Sequence, residues 1–322
     1  MSIQQIRIKN FSVFEDMTLQ PAAGINVLVG ENGTGKTQLL KLLYACAEVQ
    51  QNHLSDTFYR CFGIQQERAS LIRQPKQEAM VSLADADGQQ MTQRLQEGYM
   101  LAFPAHVQSA VYIPVKDMLT HAKGLLAMAE KYRDFPFDKT LTDIIRRANQ
   151  WSVKEPPALA KAILPQLEQM MDGQVVIEED TFYIRKNDGR LVNFTVEAEG
   201  LKKIGLLWQL LMTENITENS LLLWDEPEAN LNPAFLPQLV ECLLELSRHG
   251  VQIFVSTHNY IFAKYFDVRR EATDHIAYHS LYVQKNGVAC ESKEHFAELQ
   301  HNAIMQVFNQ LLDEVYDLQV GD

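Results

Sequence analysis

The sequence predicts an α/β fold with a mixed core sheet, because three short apolar strands each end in glycine or polar residues. These strands are Ile25–Val29, Leu221–Trp224 and Val251–Ser256. A helical pattern follows the first strand, and a second begins after Pro233 and ends at Gly250. Uninterrupted apolar runs between helices are typical of strands that are buried on both faces of a sheet. We therefore expect functional groups at the carboxyl ends of these strands.

The composition is that of a folded globular protein. Of the 322 residues, 46% are hydrophobic and 22% are charged. The sequence has no apolar run of membrane-spanning length and no signal-peptide pattern, so we expect no membrane partner. Four cysteines lack paired spacing, which indicates isolated thiols in a reducing compartment and predicts a cytoplasmic protein. They are Cys46, Cys61, Cys242 and Cys290.

The formal net charge of −12 opposes non-specific coating of nucleic acid, because phosphate binding needs clustered Lys and Arg side chains. Three local basic pairs nevertheless stay candidates for DNA contact, although short pairs are usually solvated surface. They are Arg146–Arg147, Lys202–Lys203 and Arg269–Arg270.

The N-terminal region predicts an antiparallel β-subdomain. Apolar residues alternate with polar ones from Ile3 to Met17, which predicts a strand pair with a turn near Glu15–Asp16. Two further strand patterns flank Asp87-Gly88, a favourable hairpin turn. Another short strand is expected at Val111–Ile113.

The middle of the chain predicts a helical insertion followed by short strands. Leu119–Met171 has a helical pattern with breaks near Pro136 and at Pro156-Pro157. The elements expected after it are strands at Val175–Glu178, Phe182–Arg185 and Leu191–Val196, a helix from Glu199 to about Met212, a hairpin of Ile276–Val283 with Val288–Glu291, and a helix over Phe296–Leu318.

A phosphate-binding loop follows the first apolar strand. The segment Gly30-Glu31-Asn32-Gly33-Thr34-Gly35-Lys36-Thr37 fits the pattern G-x-x-x-x-G-K-[ST] between a strand and a helix. Its glycines let backbone N–H groups wrap a phosphate at the positive end of the helix. Lys36 is expected to reach the β- and γ-phosphates, and the Thr37 hydroxyl to coordinate Mg²⁺. The pattern predicts that the chain binds ATP.

Two acids end the second apolar strand. Asp225 is expected to hold Mg²⁺, together with Thr37, at the carboxyl end of the sheet. Glu226 is expected to polarise the water that attacks the γ-phosphate, which makes the chain an ATPase. A pair of solvated acids at a strand end is the alternative interpretation.

Histidines occur at two places of interest. His258 follows the third apolar strand in Ser256-Thr257-His258-Asn259, where it is expected to contact the γ-phosphate and sense its loss. His275 and His279 have a metal-binding spacing on a helix, but they lie in a predicted strand, where that spacing does not converge on one ion. We therefore predict no metal site at this second pair.

Together these segments resemble the ABC-type P-loop ATPase heads of SMC-like proteins and of the overcoming-lysogenization-defect (OLD) ATPases. The matching residues are Ile6-Arg7-Ile8-Lys9-Asn10-Phe11 with Phe14, Gly30–Thr37, Asp225-Glu226-Pro227-Glu228-Ala229-Asn230-Leu231-Asn232-Pro233 and Ser256-Thr257-His258. The resemblance implies a D-loop near Asn230 and a signature segment at Ala198-Glu199-Gly200-Leu201-Lys202-Lys203, where Ala198 replaces the usual serine. It implies further that Gly200 and Asn230 contact ATP held by a second subunit, in a homodimer closed around two ATP molecules. A glutamine loop is sought near Tyr112–Asp117.

The resemblance also suggests one ATPase domain over 1–322. Its expected parts are a P-loop lobe (1–115), a mostly helical insertion with a β-hairpin (116–197), a signature, Walker B and switch lobe (198–291) and a C-terminal helix (292–322). No long heptad coiled coil interrupts the sequence, and only about 65 residues follow His258, fewer than a toprim nuclease domain needs. The expected protein is a stand-alone ATPase.

Three functions are compatible with this sequence. The first is a nucleotide-driven dimerising switch that controls a protein effector, a nuclease or toxin, in bacterial antiphage defence. The second is an SMC-like DNA repair or recombination ATPase that binds DNA directly. The third, a transporter subunit, is disfavoured by the altered signature segment and by the Lys9-Asn10-Phe11 pattern.

Overall fold

The computed structural model describes residues 2–52, 55–64, 67–96, 99–103, 109–132 and 136–320. The strands are β1 (Ile3–Phe11), β2 (Phe14–Leu19), β3 (Ile25–Gly30), β4 (Glu78–Asp85), β5 (Gln90–Gln96), β6 (Tyr99–Phe103), β7 (Ala110–Ile113), β8 (Gly173–Glu178), β9 (Thr181–Lys186), β10 (Leu191–Asn193), β11 (Leu221–Asp225), β12 (Gln252–Ser256), β13 (Ile276–Gln284) and β14 (Gly287–Lys293). The helices are α1 (Lys36–Asn52), α2 (Ser55–Cys61), α3 (Ala122–Lys131), α4 (Lys139–Ala148), α5 (Ala158–Met171), α6 (Glu199–Met212), α7 (Leu236–Arg248), α8 (Tyr260–Arg269) and α9 (Ala303–Val320).

The core sheet is mixed, as predicted. Within the described ranges its strand order is β14-β13-β3-β12-β11-β7, with β14 antiparallel to β13 and the other pairs parallel. Alternate residues of β11 belong to different hydrophobic clusters: Leu222 and Trp224 to one, Leu221 and Leu223 to the other. The sheet is therefore covered on both faces, which explains why its strands are uninterrupted apolar runs.

An antiparallel sheet lies at the N-terminal side, also as predicted, with the order β2-β1-β4-β5-β6. The predicted turn at Glu15–Asp16 is wrong, because β1 already reverses at Ser12, whose φ is 49°. Asp16 lies within β2 opposite Lys9 and forms an ion pair with it at 3.7 Å. Alternation alone does not show which polar pair makes the turn.

Helices α3, α4 and α5 follow the core strand β7, and the predicted breaks at Pro136 and Pro156-Pro157 are observed. A small antiparallel sheet of order β10-β9-β8 comes next, with its β9–β10 turn at Gly189, whose φ is 88°. The strand predicted over Leu191–Val196 ends at Asn193, because Thr195 turns back to bond the Asn193 side chain.

A buried network of charged side chains joins the end of α1 to α4. Glu48, which is 4% exposed, accepts hydrogen bonds from Lys139 at 2.7 Å and from Arg147 at 3.1 Å. The Tyr44 hydroxyl donates to Asp143 at 2.7 Å, and Lys139 also bonds Asp143. Each buried charge has an opposite partner, which is the condition under which such burial is tolerated.

The C-terminal part contains the predicted β13–β14 hairpin and a helix that begins later than predicted. Phe296 is buried between the rings of Tyr260 and Tyr278, whereas α9 begins at Ala303 behind Asn302. The Asn302 side chain accepts from the Met305 amide at 3.1 Å and so caps the helix. Residues 321–322, the end of the predicted C-terminal part 292–322, lie outside the described residues. Across the described ranges, no helix has both the length and the apolar character needed to cross a bilayer.

Candidate functional site

Three neighbouring strands of the core sheet carry the predicted site residues at their carboxyl ends. Strand β12 pairs with both β3 and β11, so the segments that follow these strands meet at one edge. The phosphate-binding loop follows β3, the two acids end β11, and His258 follows β12. Parallel strands present ligands at this edge in α/β proteins.

Residues of the β1–β2 hairpin in the N-terminal sheet pack against the phosphate-binding loop. Gly35 has a φ of 90°, and a Cβ atom at this position would lie 2.6 Å from Phe14 Cζ and 2.8 Å from Val13 Cγ2. A side chain would therefore be excluded both by the backbone conformation and by contact. Phe14, singled out in the sequence beside the first strand, is thus part of the support of the loop.

Lys36 begins α1 and is 6% exposed. Its Nζ atom donates to the carbonyl of Gly30 at 2.8 Å and to that of Glu31 at 3.0 Å, so the side chain folds back over the loop. Burial lowers the pKa of this ammonium group, while Glu226 and Asp225 act in the opposite direction. The Lys36 ammonium group is therefore held next to the loop, where it can contact a bound anion.

Thr37 and Asp225, the two residues predicted to hold a metal ion, lie in direct contact. The Thr37 hydroxyl donates to Asp225 Oδ2 at 2.8 Å, and the Ser256 hydroxyl bonds the other carboxylate oxygen. The Tyr112 hydroxyl donates to Asp225 Oδ2 at 3.3 Å. The sequence had indicated Tyr112–Asp117 only as a place to look for a glutamine loop, and here its tyrosine orients the carboxylate.

Glu226 has an unusual backbone conformation that other groups hold in place. Its φ is 47°, which is uncommon for a residue other than glycine. The Glu226 amide donates to the carbonyl of Ser256 at 3.2 Å, and its own carbonyl accepts from Lys203 Nζ at 2.7 Å. Strained residues of this kind cluster at functional sites. The backbone of Glu226 is therefore held in this conformation by neighbours from two other segments.

The carboxylate of Glu226 faces His258. Glu226 Oε1 lies 3.9 Å from His258 Nε2, and the two side chains are 33% and 37% exposed. Partial burial and the nearby Lys36 lower the pKa of His258, against the opposite effect of Glu226 and Asp225. The imidazole is therefore mainly neutral at pH 7, with a nitrogen accessible to a ligand.

Glu228 is a site residue to which the sequence analysis gave no role. It is 8% exposed and accepts a hydrogen bond from the Thr257 hydroxyl, next to His258. Burial, and secondarily the charge of Glu226, raises its pKa to about 7, against the lowering effects of the Thr257 bond and Lys203. The signal available in the sequence was a second acid two residues after Glu226, which only the fold shows to be buried.

Gly200 and Asn230 were predicted to contact a nucleotide on a second subunit. In the chain they touch each other: a Cβ atom on Gly200 would lie 2.7 Å from the carbonyl oxygen of Asn230. Gly200 is buried at the start of α6, whereas Asn230 is exposed with a φ of 64°. This close packing gives Gly200 a structural reason to be glycine. The contact with a second subunit stays a prediction.

The basic pair Lys202–Lys203 is not a DNA-binding surface, contrary to the candidate role. Both side chains are at most 5% exposed, and Lys202 forms ion pairs with Glu199 at 2.7 Å and Asp117 at 3.7 Å. Burial lowers the pKa of Lys203, against the effect of several carboxylates including Glu228. Both lysines interact with groups inside the chain and are not exposed to a partner.

In each of the other two basic pairs, the two arginines differ in their surroundings. Arg147 is 16% exposed and belongs to the network with Glu48, whereas Arg146 is 51% exposed beside Asp143. Arg269 is 44% exposed and pairs with Glu241, and Arg270 donates to the carbonyl of Glu294. Only the more exposed members of these pairs stay available to an anionic partner.

The second histidine pair does not form a metal site. His279 is fully buried in β13, where Nε2 bonds the Asn26 side chain at 3.0 Å and Nδ1 bonds Ser292 at 2.7 Å. Burial lowers its pKa to about 3, so it is neutral. Among the residues that the structure describes, no cluster of three or more His, Cys, Asp or Glu could hold a metal ion.

Two family models match separate parts of the chain. Residues 117–263 match the model described as "AAA domain, putative AbiEii toxin, Type IV TA system". Residues 1–97 match the model described as "AAA ATPase domain". Each match covers less than half of the chain. Together they include the phosphate-binding loop, Asp225, Glu226 and His258, whereas Tyr112 lies between the two matched ranges.

The fold is that of an SMC head. The chain is similar to the SMC head domain from Thermotoga maritima, with a TM-score of 0.52 and 16% identity over 91% of this chain and 100% of that one. It is also similar to the Smc head domain with an extended coiled coil from Pyrococcus furiosus, bound to the C-terminal domain of ScpA. There the TM-score is 0.60, with 12% identity over 98% of this chain and 99% of that one.

Short segments also match curated proteins named "DNA replication and repair protein RecF". The protein from Pseudoalteromonas translucida is 46% identical over 44 residues, which are 14% of this chain and 12% of that protein. The one from Bacillus cytotoxicus is 36% identical over 56 residues, 17% of this chain and 15% of that protein. The matched segments thus span less than a sixth of these relatives. Both family models describe AAA domains, one of them an AAA ATPase domain, and the solved structures show an SMC-head-like fold.

Proposed function

We propose that the chain binds Mg-ATP and hydrolyses it to ADP and phosphate. The observation that carries this proposal is the contact of Thr37 with Asp225 at 2.8 Å, beside Lys36 and Glu226. A hydroxyl and a carboxylate at the mouth of a phosphate-binding loop are the protein ligands that Mg²⁺ takes in P-loop ATPases. The donor set therefore fits the ion.

Thr37 and Asp225 would hold Mg²⁺, which when bound neutralises charge on the β- and γ-phosphates. Backbone N–H groups of residues 30–37 would bind the phosphates, with Lys36 turning from its loop carbonyls towards them. Ser256 and Tyr112 orient Asp225 through their hydroxyl groups.

Glu226 would accept a proton from the attacking water, since its carboxylate lies at the opening of the site and its backbone is fixed by Lys203. The neutral His258 would donate a hydrogen bond to the γ-phosphate from the nitrogen that carries its proton. Loss of the phosphate would remove that bond, so the segment after β12 would differ between the ATP and ADP states.

We further propose that ATP closes two chains into a homodimer in which Gly200 and Asn230 face the nucleotide of the partner. Donors that close on a γ-phosphate and exclude water stabilise it most strongly. This dimer would act as a switch on a protein effector, a nuclease or toxin, in antiphage defence. The SMC-head fold and the match to the model that mentions the AbiEii toxin support this role.

The solution mass of Glu226→Gln, measured by light scattering with and without Mg-ATP, tests the proposal. We expect a variant that binds ATP without turning it over, and whose mass doubles only with ATP. Lys36→Ala is the matched control, which should stay at the monomer mass. Normal turnover by Glu226→Gln would remove Glu226 as the base, and an ATP-independent mass would contradict the dimer switch.

Direct DNA binding in repair is the second candidate, favoured by the similarity to RecF segments. The exposed cations that fit it are Arg146 and Arg269, since their neighbours Arg147 and Arg270 are engaged within the chain. ATPase stimulation by duplex DNA, lost at higher salt and in Arg146→Glu with Arg269→Glu, would support it. Unchanged ATPase activity with DNA would count against it.

A further inference from the structure

Glu228 connects two segments of the site that are far apart in the sequence. It lies in the turn after β11, where the Ala229 amide bonds the Glu226 carbonyl at 3.1 Å and the Leu231 amide bonds the Glu228 carbonyl at 3.0 Å. Its side chain reaches from this turn to Thr257, on the segment after β12. The turn that carries Glu226 and the segment that carries His258 are thus joined by one side-chain bond.

The direction of this bond is fixed by the groups around Thr257. The Asn259 amide donates to Thr257 Oγ1 at 2.9 Å, so the hydroxyl proton is free to be donated to Glu228 Oε1. The Thr257 amide donates to the carbonyl of Leu28 at 3.0 Å, and the residue is fully buried. Thr257 is therefore held at both its backbone and its side chain, and His258 follows it directly.

The second carboxyl oxygen of Glu228 has no hydrogen-bond partner among the described residues, and it is buried. Burial of a carboxyl oxygen without a hydrogen-bond partner costs free energy of folding. The charge of Lys203, whose ammonium group bonds the neighbouring Glu226 carbonyl, acts to lower the pKa of Glu228. In this buried position the Glu228 side chain forms its hydrogen bond with Thr257.

We propose that Glu228 is a positioning residue for hydrolysis, which through Thr257 holds His258 in place opposite Glu226. This inference rests on the proposed ATPase function. Glu228 touches neither the nucleotide nor the water in this role. Removal of either member of the bond releases His258, and so slows turnover while ATP binding by the phosphate loop remains.

Steady-state kinetics test the role. Thr257→Val and Glu228→Ala each lower kcat roughly tenfold, the effect of losing one hydrogen bond to a charged group, with KM for ATP within about twofold. The double variant is no slower than either single one, because both remove the same bond. Thr257→Ser, which keeps the hydroxyl, restores most of kcat.

Thr142→Val is the matched control. It makes the same chemical change at another buried threonine, on α4, whose hydroxyl bonds the Lys139 carbonyl. Its kcat stays at the wild-type value. Wild-type kcat in Thr257→Val and Glu228→Ala, in preparations whose wild type hydrolyses ATP, would overturn the inference. A rise in KM or a fall in ATP affinity alone, with kcat kept, would overturn it as well.

A readout without turnover separates this inference from the ATPase proposal. NMR titration of labelled histidines, assigned with His258→Gln, gives the pKa of His258, which faces Lys36, Glu226 and Asp225. Release of the segment exposes the ring to water, so Thr257→Val raises this pKa towards its ordinary value, whereas Thr257→Ser does not. An identical His258 pKa in wild type and Thr257→Val refutes the positioning role, even if the wild type hydrolyses no ATP.

Discussion

Replacement of Glu228 by glutamine should change how the stability of the protein depends on pH. Burial raises the pKa of this carboxyl group from 4.5 to about 7, so the folded state binds the proton more tightly than the unfolded state. The wild type then loses stability as the pH rises from about 4.5 to about 7, and the full cost remains above that range. Each tenfold change in proton affinity corresponds to about 1.4 kcal/mol.

The expected difference is about 2 to 3 kcal/mol between pH 5 and pH 8, because Glu228 is almost fully buried and little screened by water. Glu228→Gln cannot ionise, but its Oε1 atom can still accept from Thr257. Urea unfolding at both pH values gives the free energy of unfolding of each protein. The free energy of unfolding of the variant minus that of the wild type should be larger at pH 8 than at pH 5 by this amount. A stability difference that is the same at both pH values would refute the reasoning.

Three further results are expected. Lys36→Ala should abolish ATP binding in a titration with a fluorescent ATP analogue while the circular dichroism spectrum is kept; retained affinity would contradict its role. Gly35→Ala should cost about 2 kcal/mol or more of stability, measured by urea unfolding, because its Cβ would lie 2.6 Å from Phe14 Cζ at a φ of 90°. Arg147→Ala should cost about 1 to 3 kcal/mol, because buried Glu48 loses one partner but keeps Lys139. The exposed neighbour provides the comparison, since Arg146→Ala should cost less than about 1 kcal/mol. Equal losses for the two arginines would contradict the buried network.

The sequence allowed prediction of what depends on local pattern. The strands β3, β11 and β12 are short apolar runs, and the residues at their ends follow known spacing, so the core sheet and the cluster of Lys36, Thr37 and Asp225 were predictable. Topology then brings these ends together, because parallel strands share one functional edge.

Features that depend on distant partners were not predictable. Lys202 and Lys203 have the pattern of a surface pair, but they are buried because Asp117 and the Glu226 carbonyl lie close in the fold. The turn after β1 was misplaced because Ser12 adopts a left-handed backbone conformation that alternation does not reveal. Phe296 has the apolar character of a helix residue, yet it anchors the segment before α9 between two rings.

Helix α1 has a mechanical consequence for the molecule. It starts at the phosphate-binding loop with Lys36 and Thr37, and Glu48 near its other end is tied into α4 by Lys139 and Arg147. Its 17 residues form a rod about 25 Å long. A small tilt of α1 at the loop would displace α4, because ion pairs connect the far end of α1 to α4. In the proposed ATPase, this helix would act as a lever between the phosphate-binding loop and the helical region.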